Sequence, residues 1–317
     1  MTKLIILIPC FNEEKTLPLV LAQIPKKISG ISKIEILVIN DGSTDRTAYV
    51  ARSNGCLVVN NLKNIGLAKT FKKGIEHALS LNADILVNID ADNQYKAKDI
   101  PRLIQPVVKK QADIVIGNRN IKKIKHFSLT KKIFQFIGSW TVRFLSKTNV
   151  SDTVSGFRAY SKEALLNLNI TSKFSYVLDT IIQANQKGLK IKNIQIEINS
   201  PTRKSRLSKG IFDHVKKSTA DLLRVYITYE PLKFFIYLSL IPFLISLILI
   251  LRYLFLFLNS SGEGHIQSLI AATILFIVFI HFFSLGIIAE LNSKNRQLIE
   301  DQIQITKKIK YKQYENE

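Results

Sequence analysis

The sequence predicts an α/β protein: a mostly parallel sheet with helices on both faces, followed by two transmembrane helices. Three observations support this prediction. Short β-branched runs alternate with helical patterns over the first 117 residues. Polar and acidic residues directly follow several of these runs, where ligands bind in parallel sheets. Two long uncharged stretches lie near the C-terminus.

Five short apolar runs, rich in β-branched residues, predict the strands. Between them, apolar residues recur at helical spacing. The predicted strands span residues 4–9, 34–40, 56–60, 85–90 and 114–117, and the predicted helices span residues 14–26, 44–53, 67–81 and 97–109. This alternation favours parallel strands joined by helical crossovers.

The two uncharged stretches predict membrane spans over about residues 232–258 and 266–289. Residues 234–251 and 266–289 contain no Asp, Glu, Lys or Arg. At about 1.5 Å per residue, each stretch is long enough to cross a hydrocarbon core of roughly 30 Å. A buried hairpin in a soluble core is the alternative, and two adjacent runs of this length disfavour it.

The basic residues predict the orientation of these spans. The loop 259–265 has no Lys or Arg, whereas both outer flanks are basic. The positive-inside rule therefore predicts that both termini face the cytoplasm. We expect a multi-pass protein of the plasma (inner) membrane with a cytoplasmic domain over residues 1–231. The polar tail, residues 291–317, is expected to begin as a helix.

Composition and charge exclude several classes of protein. Hydrophobic residues make up 47% of the chain, which excludes a disordered protein. Cys10 and Cys56 are the only cysteines, which excludes a disulfide-rich secreted domain. Residues 118–230 carry 21 basic and 7 acidic side chains, so an anionic partner is expected.

Two basic segments suggest which anionic partner that is. Residues 121–147 and 211–230 mix aromatic side chains with Lys and Arg, which is typical of amphipathic helices on an anionic lipid bilayer. An ordinary helix packed on the sheet is the alternative. Nucleic acid is disfavoured, because the basic segments adjoin the spans and no nucleic-acid module is recognisable.

Polar residues after the strands predict a binding site at one edge of the sheet. Asp90 and Asp92 lie one residue apart at the end of a strand, and such carboxylates are hard ligands for Mg²⁺ or Mn²⁺. A solvated turn is the alternative. The chain has no G-x-G-x-x-G and no Walker lysine motif, which disfavours a dinucleotide oxidoreductase or an NTPase.

The order of these motifs resembles family-2 glycosyltransferases of the GT-A fold, and most closely the polyprenyl-phosphate glycosyltransferases. That group includes dolichyl-phosphate mannose synthases and undecaprenyl-phosphate glycosyltransferases. The matching motifs are Pro9…Asn12-Glu13-Glu14, Asp41-Gly42-Ser43-x-Asp45, Asn64-x-Gly66, Asp90-x-Asp92-x-Gln94, Gly117-x-Arg119, Asp152-x-x-Ser155-Gly156-Phe157-Arg158 and Pro201-x-Arg203-x-Ser205.

The resemblance implies roles for individual residues. It implies nucleotide binding by Pro9, Phe11, Asn12, Glu13, Asp41, Asp90 and Ala91. It implies binding of Mg²⁺ or Mn²⁺ by Asp90, Asp92 and Gln94. It implies contact with the acceptor phosphate for Arg119, Lys131, Lys132 and Ser205. It implies catalytic roles for Asp92, Arg119, Asp152, Asp179 and Arg203.

The implied activity is inverting, metal-dependent transfer of a sugar from a UDP- or GDP-linked donor to undecaprenyl or dolichyl phosphate. Transfer to a hydroxyl of a lipid or glycan stays open, with Asp179 as the base. A processive polysaccharide synthase is disfavoured, because the only tryptophan, Trp140, lies outside a Gln-x-x-Arg-Trp motif. A non-enzymatic membrane scaffold is the least favoured alternative. The sugar, the nucleotide and a homo-oligomeric state stay open.

Overall fold

The computed structural model describes residues 2–119, 150, 152–170, 176–199, 220, 223–224, 226–259 and 266–313. The chain divides into two compact units. The first comprises Met1–Asp221 with Ile303–Glu317, and the second comprises Leu222–Gln302.

The described part of the first unit contains a seven-stranded sheet. Its spatial order is β3-β2-β1-β4-β6-β5-β7, and only β6 runs antiparallel to its neighbours among these strands. The mostly parallel sheet predicted from the sequence is therefore confirmed. The strands are β1 (Lys3–Cys10), β2 (Lys33–Asn40), β3 (Leu57–Asn60), β4 (Ile85–Asn88), β5 (Ile114–Asn118), β6 (Arg158–Ser161) and β7 (Ile191–Gln195).

Helices connect most of these strands. Predicted helix 14–26 is shorter in the structure, where it begins beside Pro18, a residue suited to a first helical turn. A 3₁₀ turn at Ala97–Asp99 precedes α4. The helices are α1 (Leu17–Ala22), α2 (Thr47–Ser53), α3 (Leu67–Ser80), α4 (Ile100–Val108), α5 (Lys162–Asn167) and α6 (Tyr176–Gln186).

The central strand β1 is covered on both faces, which explains its continuous apolar sequence. Leu4, Ile6 and Ile8 are fully buried in one cluster with residues of α1 and α4. Leu7 points to the opposite face, towards α3. There a Cβ on Gly74 would lie only 2.5 Å from the Leu7 side chain, so glycine permits a close helix–sheet approach. This packing aligns the carboxyl ends of the strands at one edge.

The second unit contains two apolar helices. Helix α7 (Pro231–Asn259) and helix α8 (Ile266–Gln313) are both long and apolar enough to cross a membrane. Only 17% and 11% of their most apolar windows is buried, whereas the core helix of a soluble protein would be mostly buried. The predicted spans 232–258 and 266–289 lie within these helices.

Helix α8 does not end where its apolar stretch ends. No Gly or Pro interrupts residues 290–313, and ion pairs one helical turn apart support the helix, such as Arg296 with Glu300 at 3.2 Å. Its last turns belong to the first unit. There Lys307 Nζ donates a hydrogen bond to Leu168 O at 2.7 Å, and Lys308 forms an ion pair with Glu163.

Small residues form the contact between α7 and α8. Ser239, Pro242 and Ser246 recur along one side of α7 and are buried. Ser246 Oγ donates to Ala272 O at 2.8 Å, and a Cβ on Gly286 would lie 2.9 Å from Phe235 Cβ. Close packing of small residues and interhelical hydrogen bonds are typical of helices in membranes.

Candidate active site

Two loops at the carboxyl ends of β1 and β2 are joined by hydrogen bonds from backbone amides to side chains. We call residues 11–16 and 41–47 the nucleotide-side loops, because the family resemblance implies nucleotide binding by several of their residues. Asn12 N donates to Ser43 Oγ at 2.9 Å, and Thr44 N donates back to Asn12 Oδ1 at 2.8 Å. Glu13 N donates to Thr47 Oγ1 at 2.8 Å. Asn12 therefore connects the two loops, with a φ of 55°.

Acidic side chains of these loops bind backbone groups. Glu14 N donates to Asp45 Oδ2 at 3.2 Å, and Glu14 Oε2 accepts from Arg46 N at 3.0 Å. Burial alone would raise the pKa of Asp45. Hydrogen bonds from Thr47 and Glu14 lower it by a larger amount, so the net pKa is below its ordinary value. These acids stabilise the loops.

Asp41 holds the loop that follows β3. Its Oδ1 accepts from Asn61 Nδ2 and Ile65 N, both at 2.9 Å, and its Oδ2 accepts from Gly66 N at 3.0 Å. Gly42 has a φ of 71°, and a Cβ there would lie 2.5 Å from Lys63 C, so only glycine fits. The predicted motifs around Asp41 and Gly66 are therefore one structural unit.

The other residues with an implied nucleotide role lie along the same edge of the sheet. Phe11 exposes 37% of its surface at this edge. Glu13 is buried, and its Oε2 accepts from Thr16 Oγ1 at 2.6 Å. Pro9 and Ala91 are buried.

Asp90 and Asp92 lie in a tight turn after β4. We call residues 90–94 the acidic turn. Asp92 Oδ1 accepts from Gln94 N at 3.1 Å, and Asn93 has a φ of 57°. A Cβ on Gly156 would lie 2.9 Å from Asp90 Oδ2, so the missing side chain leaves room for this carboxylate.

A buried polar network supports the acidic turn. Asn88 Nδ2 donates to Gly156 O at 2.8 Å and to Tyr176 Oη at 2.9 Å. Gly156 N donates to Tyr95 Oη at 3.1 Å. Burial and the nearby Asp90 raise the pKa of Tyr176, so its hydroxyl stays protonated at neutral pH.

Asn88, Tyr95 and Tyr176 had no predicted role. The one signal in the sequence is Asn88 itself, a polar residue inside the apolar run 85–89. A fully buried amide in a central strand needs hydrogen-bond partners, so it indicates a buried polar network around it.

Arg119 and Asp152, both predicted site residues, form a buried ion pair. Arg119 Nε donates to Asp152 Oδ2 at 2.6 Å and Nη2 donates to Oδ1 at 2.9 Å, which is the bidentate geometry. Asp152 is fully buried. Burial lowers the pKa of Arg119, but Tyr95 and Asp152 raise it more, so the net pKa is raised.

Arg158 ties the loop around Asp152 to helix α6. This arginine is fully buried. Its guanidinium donates to the carbonyl oxygens of Thr153, Ser155 and Val177 and to Thr180 Oγ1, at 2.7 to 3.1 Å. Helix α6 also carries Asp179, which is 5% exposed.

Several predicted residues lie outside the described part of the chain, namely Lys131, Lys132, Arg203 and Ser205, together with segment 121–147 and most of 211–230. Within the described ranges, no group of three or more His, Cys, Asp or Glu could hold a metal ion. Asp90 and Asp92 would therefore share a cation with an amide such as Gln94 or with ligand oxygens. Two carboxylates with such partners fit Mg²⁺ or Mn²⁺.

The mostly parallel seven-stranded sheet, with one antiparallel strand, is the fold of GT-A glycosyltransferases. Residues 5–168 match the family model Glycosyl transferase family 2. Because this match covers just over half of the sequence, the chain belongs to glycosyl transferase family 2. The membership predicted from the motifs is confirmed.

Two curated relatives have named activities. The chain is 27% identical over 221 residues to an undecaprenyl-phosphate mannosyltransferase of Micrococcus luteus, with 66% of this chain and 89% of the relative covered. It is 28% identical over 214 residues to a UDP-N-acetylglucosamine–dolichyl-phosphate N-acetylglucosaminyltransferase of Methanococcus voltae, with 61% and 84% covered.

A solved structure supports the fold. Glucosyl-3-phosphoglycerate synthase from Mycobacterium tuberculosis, in complex with Mn²⁺, UDP-glucose and phosphoglyceric acid, superposes with a TM-score of 0.56 at 18% identity. The match covers 70% of this chain and 79% of that chain. At this identity the likeness shows the GT-A fold alone.

Proposed function

We propose that this chain is a membrane glycosyltransferase that moves a sugar from a nucleotide sugar to a polyprenyl phosphate. One observation carries the proposal: the segment 152–156 lies against both the arginine and the acidic turn. Asp152 pairs with Arg119 through two hydrogen bonds, and a Cβ on Gly156 would lie 2.9 Å from Asp90 Oδ2. A site that handles both a diphosphate and a phosphate needs such adjacent carboxylates and cationic groups. The named activities of the relatives agree with this chemistry.

On the donor side, Asp90, Asp92 and Gln94 would hold Mg²⁺ or Mn²⁺. When bound, the ion supplies Lewis-acid neutralisation of the diphosphate leaving group. Gly156 leaves space for the Asp90 carboxylate, and Asn88 and Tyr95 fix the backbone of Gly156. Asp41 keeps the loop 61–66 in place beside the nucleotide-side loops.

On the acceptor side, the reaction needs positioning more than proton transfer. A phosphate is already an anionic nucleophile at neutral pH, so no strong base is required. Asp152 orients the Arg119 guanidinium through two hydrogen bonds. Arg203, Ser205, Lys131 and Lys132 are proposed to bind the acceptor phosphate. A single displacement inverts the anomeric centre.

The two apolar helices suit a lipid-linked acceptor. Their largely unburied apolar surfaces fit a bilayer, and a polyprenyl chain is confined to that bilayer. We place the catalytic domain and both termini on the cytoplasmic side. The outer flanks of the spans are basic, the loop between the spans has no Lys or Arg, and basic flanks favour the cytoplasm.

A transfer assay tests the proposal. Purified protein in detergent, with Mg²⁺ or Mn²⁺ and undecaprenyl or dolichyl phosphate, is given a panel of labelled UDP- and GDP-sugars. We expect label in the lipid phase with one class of donor and none with the Asp92→Asn variant. Metal-dependent nucleotide binding without transfer to either lipid would contradict the proposed acceptor.

A second variant separates the two sides of the site. Arg203→Ala is expected to raise the KM for the lipid phosphate more than the dissociation constant of the nucleotide sugar, because this arginine is assigned to the acceptor. An equal loss of affinity for the lipid phosphate and for the nucleotide sugar would contradict the assignment of Arg203 to the acceptor. Lys192→Ala, an exposed position on β7, is the matched control.

A further inference from the structure

The segment after β7 contacts the acidic turn directly. Ile198 and Tyr95 form an antiparallel bridge, and Asn199 N donates to Gln94 O at 2.8 Å. Residues 103 and 105 positions apart in the sequence are therefore joined at the turn that carries Asp90 and Asp92. Such a contact constrains the backbone on the C-terminal side of Asp92.

The side chain of Asn199 adds two more hydrogen bonds. Its Nδ2 donates to Asn93 O at 3.0 Å and to Asn93 Oδ1 at 3.3 Å. Gln23 Nε2, at the end of α1, donates to the same Asn93 Oδ1 at 2.8 Å. Asn93 is 9% exposed, so these bonds are largely shielded from water.

Asn93 needs this support because of its backbone conformation. Its φ of 57° lies in the left-handed region, which non-glycine residues adopt at a cost. Such a conformation persists only where its surroundings hold it. Asn93 stands between Asp92 and Gln94, so its φ sets the relative direction of two residues assigned to the cation.

We propose that Asn199 is a positioning residue for divalent-cation binding: it holds Asn93 in the left-handed conformation that aims Asp92 and Gln94 at one ion. This inference rests on the proposed function only through the metal-binding roles of Asp90, Asp92 and Gln94. It does not depend on the identity of the acceptor. Residues that orient metal ligands commonly affect metal affinity by one to two orders of magnitude.

The test measures metal binding without catalysis. Mn²⁺ is titrated into protein saturated with UDP, and the free ion is followed by electron paramagnetic resonance. Asn199→Ala is expected to weaken Mn²⁺ binding about tenfold. The dissociation constant of UDP without metal is expected to stay within about twofold, because Asn199 contacts the turn and not the nucleotide-side loops. Lys192→Ala is the control on the same stretch of chain.

A second pair of variants tests the route of the effect. Glycine adopts positive φ without steric cost, so Asn93→Gly relieves the need for Asn199. In the Asn93→Gly background, Asn199→Ala is expected to weaken Mn²⁺ binding by clearly less than tenfold. If Asn199→Ala still weakened Mn²⁺ binding tenfold in the Asn93→Gly background, Asn199 would not act through the backbone of Asn93.

Different results would overturn the proposed function and this inference. If wild-type protein binds Mn²⁺ with UDP but transfers no sugar to a polyprenyl phosphate, the acceptor proposal fails and the role of Asn199 stands. If Asn199→Ala leaves Mn²⁺ affinity unchanged, or weakens metal-free UDP binding equally, the inference is overturned. Absence of Mn²⁺ binding by the wild type would overturn it as well.

Discussion

The nucleotide-side loops and the acidic turn lie at the same edge of the sheet but are held together differently. The nucleotide-side loops are joined by hydrogen bonds between residues 31 to 34 positions apart, within one β-α-β unit. The acidic turn and Tyr95 are held by residues 61 to 106 positions away, just after α1, before β6 and after β7. The nucleotide side is thus a local construction, whereas the acidic turn depends on the assembled sheet.

This difference makes two predictions. Substitutions far in the sequence from the acidic turn should weaken metal binding, and substitutions within the nucleotide-side loops should weaken nucleotide binding. Asp92→Asn is the strongest test at the acidic turn. Losing one carboxylate is expected to lower the transfer rate at least about 100-fold, since electrostatic stabilisation of the leaving group is lost. Asp92 is only half-buried, so circular dichroism should show an intact fold. Near-normal transfer would contradict the metal assignment.

Gly156→Ala tests the distant support of the same turn. The added Cβ would lie 2.9 Å from Asp90 Oδ2 and 3.2 Å from Tyr176 Oη, so the carboxylate must shift. We expect Mn²⁺ affinity in the presence of UDP to fall about tenfold, measured by free-ion titration. Metal-free UDP affinity is the internal control. If UDP affinity without metal fell equally, the separation of the two regions would fail.

Thr47→Val tests the local construction of the nucleotide side. Thr47 is fully buried, and its hydroxyl accepts from Glu13 N and donates to Asp45 Oδ1. The isosteric change leaves Glu13 N without this acceptor and should lower the free energy of unfolding by about 1–3 kcal/mol. We also expect a higher KM for the nucleotide sugar at unchanged Mn²⁺ affinity.

Thermal and chemical unfolding of the Thr47→Val variant measures the stability term, and steady-state kinetics at saturating lipid phosphate measures the KM. A loss of Mn²⁺ affinity at saturating nucleotide, with the KM for the sugar donor unchanged, would contradict the comparison. It would mean that Thr47 supports metal binding rather than nucleotide binding.

Lys96→Ala should have the smallest effect. Lys96 Nζ lies 2.5 Å from Glu197 Oε2, but the Glu197 side chain is 62% exposed. Solvent screens such pairs, so transfer and Mn²⁺ affinity are expected to stay within about twofold of wild type. A tenfold loss of Mn²⁺ affinity would mean that the exposed ion pair, rather than Asn199, fixes the acidic turn.

The strands and the edge where the site lies could be predicted because both follow from local patterns. Apolar β-branched runs are visible in the sequence, and acids such as Asp41 and Asp90 must converge once the strands are parallel. Strands β6 and β7 were missed. The four residues of β6 begin with the buried Arg158, a residue atypical of a central strand. Strand β7 has no continuous apolar run, because Ile191 and Ile194 alternate with polar residues.

The partners of the acidic turn could not be predicted. Gly156, Tyr176 and Asn199 approach Asp90–Gln94 only through tertiary packing. No spacing in the sequence indicates that these residues lie close to the acidic turn. The Arg119–Asp152 pair is a similar case. Both residues were chosen from motifs, yet their bidentate contact depends on the folded loops.

The acceptor is the central claim, and paired acceptors test it most directly. The same enzyme, nucleotide sugar and divalent cation are given either a polyprenyl phosphate or the corresponding polyprenol without phosphate. We predict transfer to the phosphate alone, in an inverted, mild-acid-labile glycosyl phosphate, because the site positions an anion and needs no strong base. Equal or preferential transfer to the polyprenol hydroxyl would contradict this account.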